Sequence, residues 1–246
     1  LLDPEFVQRD AMLFTLAQAA ERDRNRPEAV RRYRALIGEY SGSERGDEAL
    51  LRIGDLYFDA ARFDSALASY QELTRTTRKD KFYQEGQLKT ADALLRLGRP
   101  DDAIEILGPL VPANEKQTNP EPQAREFPAR VRLALARAEN SAERPDRALE
   151  QLRKVTTLYP ASTSAGEAHF QIGYTYEVYM DSLEAAKKAY EQAGKNTGKS
   201  VFREQAQTRL NNLRALQDLA TQAQSAGEAE FEKKAEASLK IGELYL

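Results

Sequence analysis

The chain has 246 residues, 41% hydrophobic and 30% charged, with a net charge of −3 and a sequence pI near 5.5. That balance argues against a basic nucleic-acid surface or a polybasic membrane patch. No cysteine is present, so disulfides and thiol chemistry are excluded, and no apolar run reaches the length of a membrane span. The first residue is Leu1 and no signal peptide precedes the first helix, which reads as a fragment or a processed chain.

In chain order, Asp3-Pro4-Glu5 looks like the start of the first helix, and from there the chain repeats itself. Asp47–Thr76 is the clearest unit. Its first amphipathic helix carries Leu50, Ile53, Gly54 and Tyr57; its second carries Ala66, Tyr70 and Leu73. Each second helix has an anchor alanine with a large residue four positions on: Ala29/Tyr33, Ala66/Tyr70, Ala103/Leu107, Ala148/Leu152 and Ala186/Tyr190. Twelve positions before the first four anchors lies a small residue: Ala17, Gly54, Ala91 and Ala136. The fifth, Gly173, lies thirteen before Ala186, which predicts one extra turn residue. Two helices approach closely only where one offers Gly or Ala, and a lone hairpin cannot bury its apolar face, so the units should stack.

Turn chemistry agrees with this frame. Pro27, Pro100 and Pro145 sit at helix starts, where a missing N–H costs nothing, and the acids after them suit the positive end of the helix dipole. Pro160 stops a second helix, and Ser and Thr residues in the loops are expected to cap the helices that follow. The units lie near 10–46, 47–83, 84–112, 129–165 and 166–199 of a single array covering 1–246. Half the prolines crowd into a predicted loop over 108–128. A long helix over 201–224, striped by Val201, Ala206, Leu210, Leu213, Leu216 and Leu219, is a degenerate unit or a spacer. Leu51-Arg-Ile-Gly-Asp-Leu-Tyr57 returns as Leu239-Lys-Ile-Gly-Glu-Leu-Tyr245, so 235–246 reads as the beginning of a further unit, implying that the natural protein continues.

These residues resemble the tetratricopeptide repeat: Ile-Gly-x2-Tyr, then Ala-x3-Tyr, then a closing Pro, as from Ala148 to Pro160. The resemblance implies an all-α solenoid of antiparallel helix pairs wound into a right-handed superhelix, acting as a non-catalytic scaffold for a protein or peptide. The Tyr159-Pro-x-Ser162 ending and the Ile172-Gly-x2-Tyr176 run that follows are similar to bacterial cell-envelope members, such as the lipoprotein of the β-barrel assembly machine and the Tol–Pal coordinator. A periplasmic or outer-membrane-associated setting is implied by that similarity, with a cytoplasmic one open.

In such arrays first helices line a concave groove. The candidate lining is Phe14, Leu51, Leu88, Leu133 and Phe170 at fifth positions, Asp55, Asp92, Arg137 and Tyr174 at ninth positions, and Phe58 at a twelfth. The apolar stripe serves either a groove for an apolar helix or extended peptide, or plain packing. No cofactor and no metal site is expected: His169 stands alone and is read as structural. Glu48, Asp55, Glu85 and Asp92 read as a solvated acidic face. Ala193–Ser200 has the outline of a phosphate loop, but a helix precedes it and no β-type run exists, so a helix ended through Gly194, a turn and a new helix at Ser200 explain it better than a nucleotide-binding enzyme. Self-association through 235–246 is a second reading of function.

Overall fold

The computed structural model describes residues 4–40, 43–112, 122–195 and 201–225, with side chains at 9–40, 43–112, 126–195 and 201–222. Among these residues the chain is all α: α1 (Pro4–Arg22), α2 (Arg26–Glu39), α3 (Glu44–Asp59), α4 (Phe63–Thr76), α5 (Asp80–Arg96), α6 (Pro100–Leu107), α7 (Pro122–Ser141), α8 (Pro145–Leu158), α9 (Ser164–Tyr174), α10 (Leu183–Lys195) and α11 (Val201–Ser225). Where the sequence predicts one array, the contacts group into two compact units. The first comprises 1–114 with 137–142; the second comprises 115–136 with 143–246.

In the first unit each helix packs on the next from α1 to α6, and α1, α3 and α5 also touch in succession. All five anchor alanines of the chain are fully buried. In the first unit Ala29 joins Ala17, Tyr33, Leu36, Ala49 and Ile53 in one core. Leu50, Leu73 and Phe82 form the core of the next interval. In the second unit Ala148 packs with Ala129, Leu133, Ala136, Leu152 and Val155, and Ala186 with Tyr190, Leu210 and Leu213.

The small residues earn their place against the rings. A Cβ on Gly54 would lie 2.2 Å from Tyr70 Cε1, and one on Gly173 would lie 2.5 Å from the Tyr190 ring. Such separations are far inside van der Waals contact, so only glycine fits there. Units with leucine in place of the tyrosine carry alanine at the small position: Ala91 with Leu107, and Ala136 with Leu152.

Every hairpin turns through a left-handed residue five positions before its anchor: Arg24 (φ 57°), Ala61 (54°), Gly98 (71°), Glu143 (58°) and Asp181 (48°). The first helix ends in the paired 6→1 and 5→2 bonds of a Schellman cap, for example Arg62 N–H to Tyr57 O at 2.9 Å and Ala61 N–H to Phe58 O at 2.9 Å. Glycine occupies this position only at 98, so the other four turns carry a Cβ strained in the left-handed region.

Several expectations are corrected. The loop predicted over 108–128 ends sooner, because α7 starts at Pro122 and runs through Pro128, which lies inside the helix and removes one of its backbone hydrogen bonds. The extra residue between Gly173 and Ala186 lies not in the turn but in a π-helical turn, Thr175–Tyr179. Ser43 caps α3 by accepting from Gly46 N–H at 2.9 Å, but Thr163 does not cap α9. Its hydroxyl instead donates to Glu126, as does that of Ser164. Gly194 lies inside the last turn of α10 and does not terminate it. Val201 falls off the apolar stripe of α11 and is exposed. That helix packs on α10 and on α9, as the first helix of a further unit would. Asp3 and the segment 235–246 lie outside the described residues.

Two outcomes test this account. Ala61→Gly should raise unfolding free energy by about 0.5–1 kcal/mol in urea melts, and Gly98→Ala should lower it by about 1 kcal/mol. Gly54→Ala should cost about 1–3 kcal/mol by overpacking against Tyr70, and Tyr70→Leu in the same chain should recover much of that loss, because the alanine–leucine pairing already serves two other units.

Candidate functional site

The first helices carry carboxylates that the tyrosines of the second helices reach. Tyr33 Oη donates to Glu21 at 2.9 Å, Tyr70 Oη to Asp55 at 2.8 Å, and Tyr190 Oη to Glu177 at 2.6 Å. A cation from the next first helix meets the same carboxylate: Arg52 at Glu21 (3.8 Å), Lys89 at Asp55 (2.9 Å) and Arg209 at Glu177 (3.1 Å). Asp92 repeats the ion pair with Arg137 at 3.1 Å; Leu107 stands where its tyrosine would be. Each such staple ties both helices of a hairpin to the next one. At the half-buried Glu21 and Asp55 solvent still screens it, and it contributes roughly 0–1 kcal/mol. Glu177 is buried, and its two partners offset its lost hydration.

Burial and then the carboxylate hydrogen bond push the phenols of Tyr33, Tyr70 and Tyr190 well above the ordinary tyrosine range. Burial alone pulls the half-buried His169 down, in keeping with a structural imidazole. Burial raises Glu126, but the hydrogen bonds from Ser164 and Thr163 outweigh it and hold that carboxyl below its usual range.

The predicted groove residues divide into three groups. Phe14, Leu88 and Leu133 are buried, so of the two alternatives for the fifth-position stripe these three take packing. Phe14 meets the Tyr33 ring at 5.5 Å, tilted by 60°, inside the first core. Asp55, Asp92 and Arg137 are committed to the staples, which corrects the picture of Asp55 and Asp92 as a bare acidic face. Glu48 and Glu85 are half-buried. Leu51, Phe58, Phe170 and Tyr174 remain half-open. Phe58 meets Phe63 edge-on at 5.2 Å under the Arg96 guanidinium.

In the second unit Phe170 stacks on Tyr174 at 6.4 Å, Tyr174 meets Tyr179 edge-on at 6.1 Å, and Arg209 lies 5.5 Å over the Tyr174 ring. Val178 and Tyr179 are exposed at the end of this shelf. The π-helical turn sets their direction, because one extra residue rotates the helix end relative to its beginning. Sequence reasoning missed Val178, Tyr179 and Arg209, although the thirteen-residue gap was the visible signal.

Near the phosphate-loop lookalike, an open cavity of about 750 Å³ between α10 and α11 is lined by Tyr190, Glu191, Lys195, Arg203, Glu204 and Leu210 among others. Acids and bases share it, and a helix, not a strand, leads into it. Residues 196–200 of that motif lie outside the described residues. Among the described residues no group of three or more His, Cys, Asp or Glu is placed to hold a metal ion, and no helix is long and apolar enough to cross a membrane.

The three tyrosine–carboxylate contacts make stability pH-dependent. A phenol whose folded pKa is raised contributes stability below its unfolded value of about 10 and loses it as pH climbs beyond that point. Helical signal should therefore fall above pH ~10 together with tyrosinate formation. Tyr70→Phe should shallow that alkaline slope while costing about 1 kcal/mol at neutral pH, both read by circular dichroism.

Comparison with known proteins follows the same lines. The tetratricopeptide-repeat family matches residues 14–81, 62–108 and 88–163 through one profile and 166–193 through another. A search of curated proteins finds no match. Among solved structures, a tetratricopeptide repeat protein from Parabacteroides merdae is 17% identical with a TM-score of 0.62, covering 94% of this chain and 84% of that one. MamA from Desulfovibrio magneticus is 16% identical with a TM-score of 0.57, covering 76% and 94%. YrrB, described as a repeat protein of this kind with an unusual peptide-binding site, is 17% identical with a TM-score of 0.51, covering 79% and 90%. At these identities the likeness is one of fold.

Proposed function

Because the chain belongs to the tetratricopeptide-repeat family, we propose that it is a non-catalytic scaffold that binds a protein or peptide segment, with Phe170, Tyr174 and Tyr179 as the docking shelf of its second unit. The observation that carries this reading is the half-open aromatic run itself. A core needs its rings enclosed, yet Tyr174 is half-open and Tyr179 exposed, while Arg209 stacks on the shelf. Rigid aromatic rings beside an arginine are the side chains that dominate peptide and protein interfaces, since they offer large contact area at little entropy cost. The apolar side chains of an extended or helical segment would pack on such a shelf. Leu51 and Phe58 offer a smaller patch of the same kind in the first unit. That YrrB is described as peptide-binding is in keeping with this use of the fold.

A place in a bacterial envelope assembly rests on the likeness at Tyr159–Ser162 and Ile172–Tyr176. Self-association through 235–246 would need residues outside the described part.

Selection of peptides from a random library against the folded protein tests the proposal. The binders should carry apolar or aromatic residues and lose at least tenfold in affinity, about 1.4 kcal/mol, on Tyr174→Glu or Tyr179→Glu. Both positions are open enough for the variants to keep their helical spectrum. Binders indifferent to both substitutions would place the docking surface elsewhere.

A further inference from the structure

We infer that the segment docking on the aromatic shelf brings a side-chain carboxylate, an aspartate or glutamate beside its apolar residues, and that Arg209 receives it. This partner chemistry rests on the shelf proposed above and adds to it the sign and place of one charge.

Arg209 stands at the register position of Arg52 and Lys89, where a first helix offers a cation to a carboxylate of the hairpin before it. The fourth and fifth hairpins carry Ala134 and Gln171 there. Lys89 has a single ammonium, and it lies 2.9 Å from Asp55. Arg209 has more to give. Its Nη1 donates to Glu177 Oε1 at 3.1 Å, and its guanidinium lies over the Tyr174 ring at 5.5 Å. A guanidinium carries five N–H donors in a planar fork, and among the described residues this is the hydrogen bond Arg209 makes. The side chain stays 35% exposed. Donors are therefore left over at the shelf, beside the ring that holds the guanidinium.

Glu177 does not cancel that charge for a guest. It is buried, and its second oxygen accepts from Tyr190 Oη at 2.6 Å, so both oxygens are occupied away from solvent. The pair is a buried anion under a half-exposed cation, and the side it shows to water is positive. The helix neighbours one turn from Arg209 are Gln205, Ala206, Asn212 and Leu213, all neutral. Those of Tyr174 are Phe170, Gln171 and Val178 besides the enclosed Glu177. A carboxylate fits the opening best, because it takes the fork in two charge-assisted bonds. The chain's net charge is −3, so a long acidic run would be repelled and a single carboxylate is what the site favours.

The spacing says where the carboxylate lies in the segment. Tyr174 and Tyr179 are 6.1 Å apart. Residues on one side of an extended strand repeat every ~6.6 Å, and neighbours on one helix face lie roughly 5–6 Å apart. The acid and the apolar residue on the rings are thus two positions apart in an extended segment, or three to four in a helical one.

Peptides with amidated C-termini, selected against the whole chain, test this, since side chains are then their only carboxylates. Binders should be enriched in Asp or Glu near an apolar residue, and changing that acid to its amide should weaken binding at least tenfold at low salt. Arg209→Lys should shrink that difference to less than about threefold, because an ammonium drawn to Glu177 has no second prong. The melting temperature should stay within a few degrees, as lysine serves the same pairing at Asp55. Glu177→Gln with Arg209→Gln removes the buried anion together with its cation. It should shrink the difference as well, and it keeps the outcome readable if lysine alone disturbs the fold. Binders free of acids, or an acid-to-amide change without effect while Tyr174→Glu still abolishes binding, overturn the inference and leave the shelf standing. Binders indifferent to Tyr174→Glu and Tyr179→Glu overturn the shelf itself and the inference with it.

Discussion

The contact on which this structure depends is the seat of a large side chain over a residue with little or no side chain. Tyr70 lies on Gly54 so closely that even a methyl group would collide, and Tyr190 lies on Gly173 in the same way. Backbone and ring approach at those points because nothing stands between them, and that approach sets the spacing of the two helices of a hairpin. The anchor alanines Ala66 and Ala186 complete the fit from the second helix, fully buried. A residue one methylene larger at any of these places would push the helices apart and open the core on either side.

A polar consequence follows from the same geometry. A tyrosine laid across a glycine or an alanine must put its hydroxyl somewhere, and a buried hydroxyl needs a partner. In three hairpins that partner is a carboxylate on the first helix, which in turn meets a cation from the next first helix. Packing within a hairpin and attachment between hairpins therefore share residues. Much of the charge on the first helices is spent holding the chain together, which is why Asp55, Asp92 and Arg137 are poor candidates for meeting a partner and the rings of the second unit are better ones.

The departures from regularity are where surface becomes available. The π-helical turn at Thr175–Tyr179 inserts one residue into an otherwise fixed frame, and the exposed Val178 and Tyr179 result. At α1 the frame is kept, and Met12 and Leu16 stand exposed at positions that the second, third and fourth hairpins bury.

Much of the architecture was legible in the sequence by itself. The anchor spacing, the small residues before each anchor, the prolines at the helix starts of three hairpins and the family pattern identify helix pairs and their register, because those features are local and repeat. Sequence could not decide which apolar residues of a first helix face water. Phe14, Leu88 and Leu133 share a repeat position with Leu51 and Phe170, yet the first three are enclosed and the last two half-open, since enclosure depends on the size of side chains arriving from neighbouring helices. The left-handed turn residues were equally hidden, because Arg24, Ala61, Glu143 and Asp181 are not residues that advertise that conformation. The helical start at Pro122, the direction of the residues after Gly173 and the pairing of each carboxylate were likewise settled by tertiary packing. Each depends on atoms brought together from distant parts of the chain, and no local pattern records them.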